Sequence, residues 1–347
     1  MKKIVYVREI PIGTKHVVIQ SMTNTKTSDV TKTVEQINKL VNVGCEIVRV
    51  AVKDQNDAIA ISKIKDQVTC PIVADIHFDY QLALAAIENG ADKIRINPGN
   101  ITKDKVEIIV NKCKEYNIPI RIGVNSGSLS KDIIEKYGTS AKALVEEMKR
   151  EIEFIESLDY YNLILSIKAT NISTFIEANK EISKLYDYPL HIGLTESGTK
   201  ESGSIRSSYA LGTLLNEGIG DTIRVSLTGD PINEIKVAKE ILKIFNLYNG
   251  PTLISCPTCG RLEYNMENLI NQVEPIIEKI KKPLKIAIMG CVVNGIGEGK
   301  EADLGIAGGK NQAVIFRKGQ IIRKVDDDNL LDAFCQELDI LLNENSH

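Results

Sequence analysis

A (β/α)8 TIM barrel followed by a small α+β domain is the fold class predicted by three observations. Over the first ~245 residues, short β-branched runs alternate with amphipathic stretches, and the alternation counts to eight. Asn246-Leu-Tyr-Asn-Gly-Pro251 then breaks the rhythm. Beyond it the helical and strand patterns no longer follow a βα order. The expected domains are residues 1–246 and 252–347, and an eight-unit doubly wound sheet is the alternative for the first.

The eight barrel strands are expected at His16–Ser21, Glu46–Val52, Pro71–Ile76, Asp92–Asn97, Pro119–Val124, Tyr161–Lys168, Pro189–Leu194 and Asp221–Ser226. The segment Ile4–Ile12 before them reads as a hairpin or plug on the bottom face. Val30, Val34, Ile37 and Val41 mark the first helix by their 3.6-residue spacing. The last barrel helix begins at Asp230-Pro231, a capping residue followed by a proline at the first helical position. Its buried face is Ile235, Ala238, Ile241, Leu242 and Phe245. In the second domain a helix over 262–281 carries Pro275, which predicts a kink or a split. A strand Leu284–Met289, a Gly-rich loop and a strand near Asp303–Ala307 follow. A hairpin Ala313–Phe316/Gln320–Arg323 turns at Lys318-Gly319, and a helix Asn329–Asn343 closes the chain.

Composition excludes several function classes. The chain has 347 residues, 43% of them hydrophobic and 26% charged, with a net charge of −3. There is no global basic field for nucleic acid, so any anion site has to be built locally. Arg8 and Glu9 interrupt the first apolar run too early for a signal peptide, and no stretch is long enough to span a bilayer. Seven cysteines without an export signal point to a reducing cytoplasm and to metal or redox use.

Four barrel strands carry an arginine between apolar residues: Arg49, Arg95, Arg121 and Arg224. Barrel strands are covered on both faces, so each guanidinium is costly unless paired or close to a wet rim. One such residue is most simply a structural ion pair. Four converging ones form a cationic funnel, and guanidinium forks match phosphate oxygens. The expected ligand is an anion, a diphosphate in particular. Gln20, Ser21, Asp75, Asn97, Asn125, Lys168, Glu196 and Ser226 also stand at strand C-termini, where barrel enzymes keep their chemistry. Taken singly, each of these reads as a loop cap or supporting hydrogen bond. Glu196 is the best acid–base candidate because it would be an acid beside cations. His77, a lone histidine, reads as a satisfied hydrogen-bonder rather than a ligand.

Cys256-x2-Cys259 and Cys291, the latter on the loop Gly290–Gly299, suit a soft metal centre, either zinc or iron–sulfur. A dithiol redox pair is the alternative for the first two. Three thiolates leave one position open, and Glu298 is the nearest candidate for it. Cys335 shares an apolar helical face with Leu331, Phe334, Leu338, Leu341 and Leu342, which favours packing. Cys45, Cys70 and Cys113 read as small buried hydrophobes.

With these residues the chain resembles the 4-hydroxy-3-methylbut-2-enyl diphosphate synthase family in its compact two-domain bacterial form. The stretches that carry the resemblance are Ile19-Gln-Ser-Met-Thr-Asn-Thr25, Gly44-Cys-Glu-Ile-Val-Arg-Val50, Ala74-Asp-Ile-His77, Lys93-Ile-Arg-Ile-Asn-Pro-Gly99, Arg121-Ile-Gly-Val-Asn125, Cys256-Pro-Thr-Cys-Gly-Arg261 and Gly290-Cys-Val-Val-Asn-Gly295. The resemblance implies a [4Fe–4S] cluster held by Cys256, Cys259, Cys291 and Glu298. It implies methylerythritol cyclodiphosphate as substrate, opened reductively with loss of water, and flavodoxin or ferredoxin as electron donor. It assigns diphosphate binding to Arg49, Arg95, Arg121, Asn125, Lys168, Arg224 and Ser226, and the reacting acid to Glu196.

Chain length adds an expectation about assembly. The last barrel helix descends about 24 Å from the active-site face, and the stretch 246–256 reaches at most about 36 Å when extended. The cluster domain is therefore expected to cap the barrel of a partner in a two-fold homodimer. The competing readings are a cofactor-free or zinc-stapled barrel enzyme, such as a phosphate-ligand aldolase or pterin synthase, and a small electron-carrier or zinc nucleic-acid module fused to a scaffold barrel.

Overall fold

The computed structural model describes residues 2–262 and 264–344. The chain divides into two compact units, 1–248 and 249–347. Among the described residues no helix is long and apolar enough to cross a membrane.

The first unit opens with β1 (Val5–Val7) and β2 (Ile10–Ile12), an antiparallel hairpin with Arg8 at φ 52° in its turn. Val5, Val7 and Ile12 pack against Val18, Ile47, Val73 and Ile164 near the starts of the barrel strands. The expected hairpin is therefore a plug that closes the barrel from below. Eight parallel strands follow: β3 (Val18–Met22), β4 (Ile47–Ala51), β5 (Ile72–Asp75), β6 (Lys93–Ile96), β7 (Ile120–Asn125), β8 (Leu163–Lys168), β9 (His191–Ile192) and β10 (Thr222–Ile223). Their order is β8-β7-β6-β5-β4-β3-β10-β9. A parallel bridge between Leu165 and Leu190 and the Leu165 N–H to Pro189 carbonyl bond of 2.9 Å join β8 to β9. The ring closes, which rules out the doubly wound alternative.

β9 and β10 are shorter than the sequence pattern suggests. Just past β9 the two backbones meet closely: a Cβ at Gly193 would lie 2.7 Å from the Arg224 carbonyl oxygen. Pairing nevertheless continues through the Arg224 N–H to Ile192 carbonyl bond of 3.0 Å.

Each barrel strand leads into a helix whose apolar stripe faces the sheet. In α1 (Val30–Asn42) Thr33, Val34, Ile37 and Leu40 are buried, while Val30 and Val41 lie at the edge of the stripe. The helix starts where the Asp29 carboxylate accepts the Lys32 N–H at 3.3 Å. α2 (Gln55–Lys65), α3 (Tyr80–Glu88) and α7 (Ile172–Leu185) are capped in the same way by Asp54, Asp79 and Asn171. The last barrel helix, α9, spans Ile232–Ile244, with Asp230 accepting the Ile232 N–H at 2.9 Å. It buries Ile235, Ala238, Ile241 and Leu242, with Phe245 half-buried just past its end. A seven-residue helix, α5 (Lys131–Tyr137), precedes α6 (Ala141–Ser157) and is an addition to the expected pattern.

The second unit holds a five-stranded sheet: β11 (Thr252–Ser255), β12 (Lys285–Met289), β13 (Leu304–Gly308), β14 (Gln312–Arg317) and β15 (Gln320–Asp326). The first three strands are parallel and the last two antiparallel. α10 (Met266–Ile277) and α12 (Leu330–Glu344) cover one face, burying Leu269, Val273, Phe334 and Leu338. Pro275 sits inside α10 without splitting it. Two expectations need correction. β11 occupies a stretch read as linker, and the Gly-rich loop folds as a short helix, α11 (Val292–Glu298).

Candidate active site

Alternation along each strand decides what enters the barrel. Lys93 and Arg95 share one face of β6, as Arg121, Gly123 and Asn125 do on β7 and Ser166 and Lys168 on β8. Register sets Asp75, Arg95 and Arg121 side by side across β5, β6 and β7. Above the plug the interior is therefore polar. Arg121 is 0% exposed, Lys93 0%, Arg95 4%, Arg49 6% and Lys168 8%. The Arg224 side chain is 14% exposed.

Two carboxylates answer these charges. Asp75 lies 3.2 Å from Arg95 Nη1, 3.8 Å from Arg49 Nε and 3.4 Å from His77 Nε2. Burial pushes its carboxyl up, but Arg49, the His77 hydrogen bond, Arg95 and Arg121 together hold it well below the usual carboxylate range. Glu234, reaching in from α9, lies 3.6 Å from Arg224 Nε. It also accepts the Ser21 hydroxyl at 2.9 Å and the Leu227 N–H at 3.1 Å. Six basic side chains thus face two acids. None of the three Arg121 guanidinium nitrogens has a hydrogen-bond partner among the described residues. Burial, then the Arg49 and Arg95 charges, lower the affinity of Arg121 for its proton. Lys168 is lowered likewise, by burial first and then by Arg49 and Arg121. A region this rich in unanswered donors suits an anion.

Gly123 makes room for one member of the group. A Cβ there would lie 3.1 Å from Arg95 Nε. Asn125 half-buries at the end of β7, where Ser128 Oγ bridges the Asn125 carbonyl and the Asn97 amide at 3.2 and 2.8 Å. Ser226 is half-buried just beyond β10. Glu196 is exposed in the loop after β9 with φ 52°. A left-handed backbone costs a non-glycine residue about 1–2 kcal/mol, a strain typical of functional loops. His77 is partly exposed and turned toward Asp75 and Arg95, as a supporting hydrogen-bonder.

Three residues of the site are not among the expected strand-end groups: Lys93, His191 and Glu234. Lys93 and His191 are fully buried, and His191 Nδ1 meets Thr222 Oγ1 at 2.7 Å. Burial first, and then the Arg121 charge, hold that imidazole well below its ordinary value, hence neutral. The period-two pattern could have found Lys93, two residues before Arg95. Nothing in the sequence singled out Glu234.

In the second unit, Cys256 follows β11 and Cys291 follows β12, the adjacent parallel strand. Gly290 donates its N–H to Cys256 Sγ at 3.0 Å. Cys259 is exposed, and hydrogen bonding from the Arg261 backbone lowers its thiol below the usual value, favouring thiolate. Glu298 ends α11, which begins directly after Cys291. Soft thiolate donors supported by N–H···S bonds fit a thiolate-ligated metal group in kind. Among the described residues, no three His, Cys, Asp or Glu side chains gather closely enough to hold a metal ion. Cys335 half-buries against the core of this unit, and burial raises its thiol. Cys45, Cys70 and Cys113 are buried.

Comparison with known proteins follows the same two-part division. The GcpE TIM-barrel domain model matches residues 2–239, and the GcpE C-terminal domain model matches residues 252–340. The chain belongs to the GcpE family. A Bacillus subtilis relative named 4-hydroxy-3-methylbut-2-en-1-yl diphosphate synthase (flavodoxin) is 53% identical over 336 residues, covering 96% of this chain and 89% of its own. A Geobacillus thermodenitrificans relative with the same name is 52% identical, covering 96% and 90%. Among solved structures, a Yersinia pestis dihydropteroate synthase aligns with a TM-score of 0.53 at 11% identity, covering 70% of this chain and all of that one. A Xanthomonas albilineans dihydropteroate synthase aligns with a TM-score of 0.51 at 13% identity, covering 70% and 98%. At such identity the likeness is one of barrel fold alone.

Proposed function

We propose that this chain opens and dehydroxylates 2-C-methyl-D-erythritol 2,4-cyclodiphosphate to 4-hydroxy-3-methylbut-2-enyl diphosphate, an isoprenoid precursor. The observation that carries the reading is the buried cationic layer around Arg121, whose donors have no partner within the described chain. Membership of a family whose relatives are named 4-hydroxy-3-methylbut-2-en-1-yl diphosphate synthase (flavodoxin) supports the diphosphate product. The electron donor is flavodoxin or ferredoxin, and the chain works in the cytoplasm, in keeping with seven free cysteines.

Arg49, Arg95, Arg121, Lys168 and Arg224 grip the diphosphate oxygens, with Asn125 and Ser226 hydrogen-bonding at the rim. The grip fixes the carbon skeleton while the ring C–O bond breaks. Two electrons and two protons balance ring opening and loss of water. Glu196 carries a proton on its carboxyl oxygen to the departing hydroxyl, so that it leaves as water. Cys256, Cys259, Cys291 and Glu298 would hold a [4Fe–4S] cluster, which supplies the electrons and a Lewis-acidic iron when bound.

The working unit is a homodimer with each site shared between chains. The free linker between α9 and β11 is short, residues 245–251, against a helix about 20 Å long. Mixing Glu196→Gln chains with Cys291→Ser chains should restore activity through one intact site per heterodimer, and no recovery would sink the shared-site reading. For the function itself, anaerobically purified protein should be brown with about four irons per chain and should turn over the cyclodiphosphate with reduced flavodoxin. A colourless protein with stoichiometric zinc and no turnover would refute it.

A further inference from the structure

Beneath the arginines the barrel carries a second polar layer. Gln20, Lys93, Ser166, His191 and Thr222 are each at most 1% exposed. Lys93 stands on β6, yet its Nζ reaches Gln20 Oε1 on β3 at 3.1 Å. Two strands, β5 and β4, lie between them in the ring, so the side chain crosses the interior. No carboxylate lies within ion-pairing distance of Lys93 among the described residues. Asp75 is engaged by Arg49, Arg95 and His77, and Glu234 by Arg224 and Ser21.

The charged and titratable groups that share this space come from seven of the eight strands and, through Glu234 beside Arg224, from α9. They are Arg49 on β4, Asp75 on β5, Arg95 on β6, Arg121 on β7, Lys168 on β8, the neutral His191 on β9 and Arg224 after β10. Below lie the apolar Val5, Val7 and Ile12 of the plug. A buried ammonium in such company has one amide oxygen for its three donors and cations for neighbours, an arrangement that favours the uncharged amine. A doubly charged cyclic diphosphate seated on the arginines cancels their excess positive charge and favours the ammonium.

We infer that Lys93 is a positioning residue of the diphosphate site that rests as a neutral amine and takes up one proton when the diphosphate binds. The inference rests on the diphosphate reading above. The step is a proton transfer alone: buffer gives up the proton, Nζ gains it, and no electrons move. Burial, then the Arg121 and Arg49 charges, hold the free amine well below the ordinary lysine value, which keeps it in the uncharged form before the ligand arrives. Uptake is confined to the pH window between the free and ligand-bound values and disappears where Lys93 is already charged.

The test is calorimetric titration of oxidised holoenzyme with the cyclodiphosphate, without reductant, in two buffers of different ionisation enthalpy. A cyclic diphosphate has no proton of its own to exchange near neutral pH, so the buffer difference reports the protein. Wild type should take up about one proton per site. Lys93→Met and Lys93→Arg should both bring uptake close to zero, and Lys93→Arg should still bind. Binding without uptake in wild type would overturn the inference, as would uptake that survives in both variants. Uptake lost in Lys168→Met but kept in the Lys93 variants would equally overturn it by moving the role to Lys168. No binding heat in wild type would instead sink the diphosphate reading, and this inference with it.

Discussion

Replacing Arg121 with methionine should stabilise the ligand-free protein while abolishing diphosphate binding. Arg121 is fully buried, and all three of its guanidinium nitrogens lack partners among the described residues. Each unanswered buried polar atom costs about 1–3 kcal/mol, so the three together cost at least about 3 kcal/mol. Methionine has a similar reach and fills the volume without donors. Replacing buried charge by well-packed apolar atoms typically gains about 1–4 kcal/mol. In a unit of this size each kcal/mol moves the midpoint by about 2–4 °C, so a rise of about 2–16 °C is expected. Thermal melts followed by circular dichroism must be run without phosphate, sulfate or diphosphate, since any bound anion stabilises wild type selectively. Titration with the cyclodiphosphate measures the loss of binding. A variant that melts below wild type in anion-free buffer would show that Arg121 is a satisfied structural residue, and the anion argument would fail.

Two further outcomes are expected, one in the charged layer and one on α6. Gly123→Ala places a methyl 3.1 Å from Arg95 Nε, so it should weaken diphosphate binding about tenfold, roughly 1.4 kcal/mol, by turning the guanidinium. Its melting point should stay close to wild type, and a large loss of stability with unchanged affinity would contradict that account. Glu151 lies buried on α6, where burial and, secondarily, Glu147 outweigh the pull of Lys103 and raise its carboxyl to about 7. A carboxyl raised on folding binds its proton more tightly in the native state, so stability falls as pH climbs from about 4.5 to about 7. Glu151→Gln should therefore stabilise the protein at pH 8 by up to about 3 kcal/mol and by little at pH 4.5. Equal melting shifts at both pH values would refute the linkage.

The barrel was legible because its signals are local. Runs such as Ile120-Arg-Ile122 are β-branched, and their lone charges stand out against what a doubly covered strand tolerates. What those charges meet was not legible, because register and long-range contact decide it. Asp75 is a counter-ion only because pairing sets it opposite Arg95, and Glu234 enters the site from a helix 213 residues beyond Ser21. Lys93 was legible from the period-two pattern, two residues before Arg95, whereas a lone histidine within a strand such as His191 carries no comparable signal. In the second unit, Thr252–Ser255 is a half-exposed edge strand whose polar ends resemble linker. Gly295 and Gly297 disguise α11 as a loop.

The plug gives the charged layer its strength. Val5, Val7 and Ile12 seal the underside against Val18, Ile47, Val73 and Ile164, so the layer above meets apolar side chains rather than water on that side. Solvent and ligand can therefore approach Arg49, Arg95, Lys168 and Arg224 only from the strand C-termini. An opposite charge arriving there interacts in an effective dielectric of about 20 instead of about 80, a roughly fourfold gain for each pair at a given distance. The same seal makes the empty layer expensive, since repulsion among the cations is strengthened as well. Only an apolar core as extensive as the one between sheet and helices can offset that cost. The hairpin before the first barrel strand thus acts on the ligand through the dielectric, without needing to touch it.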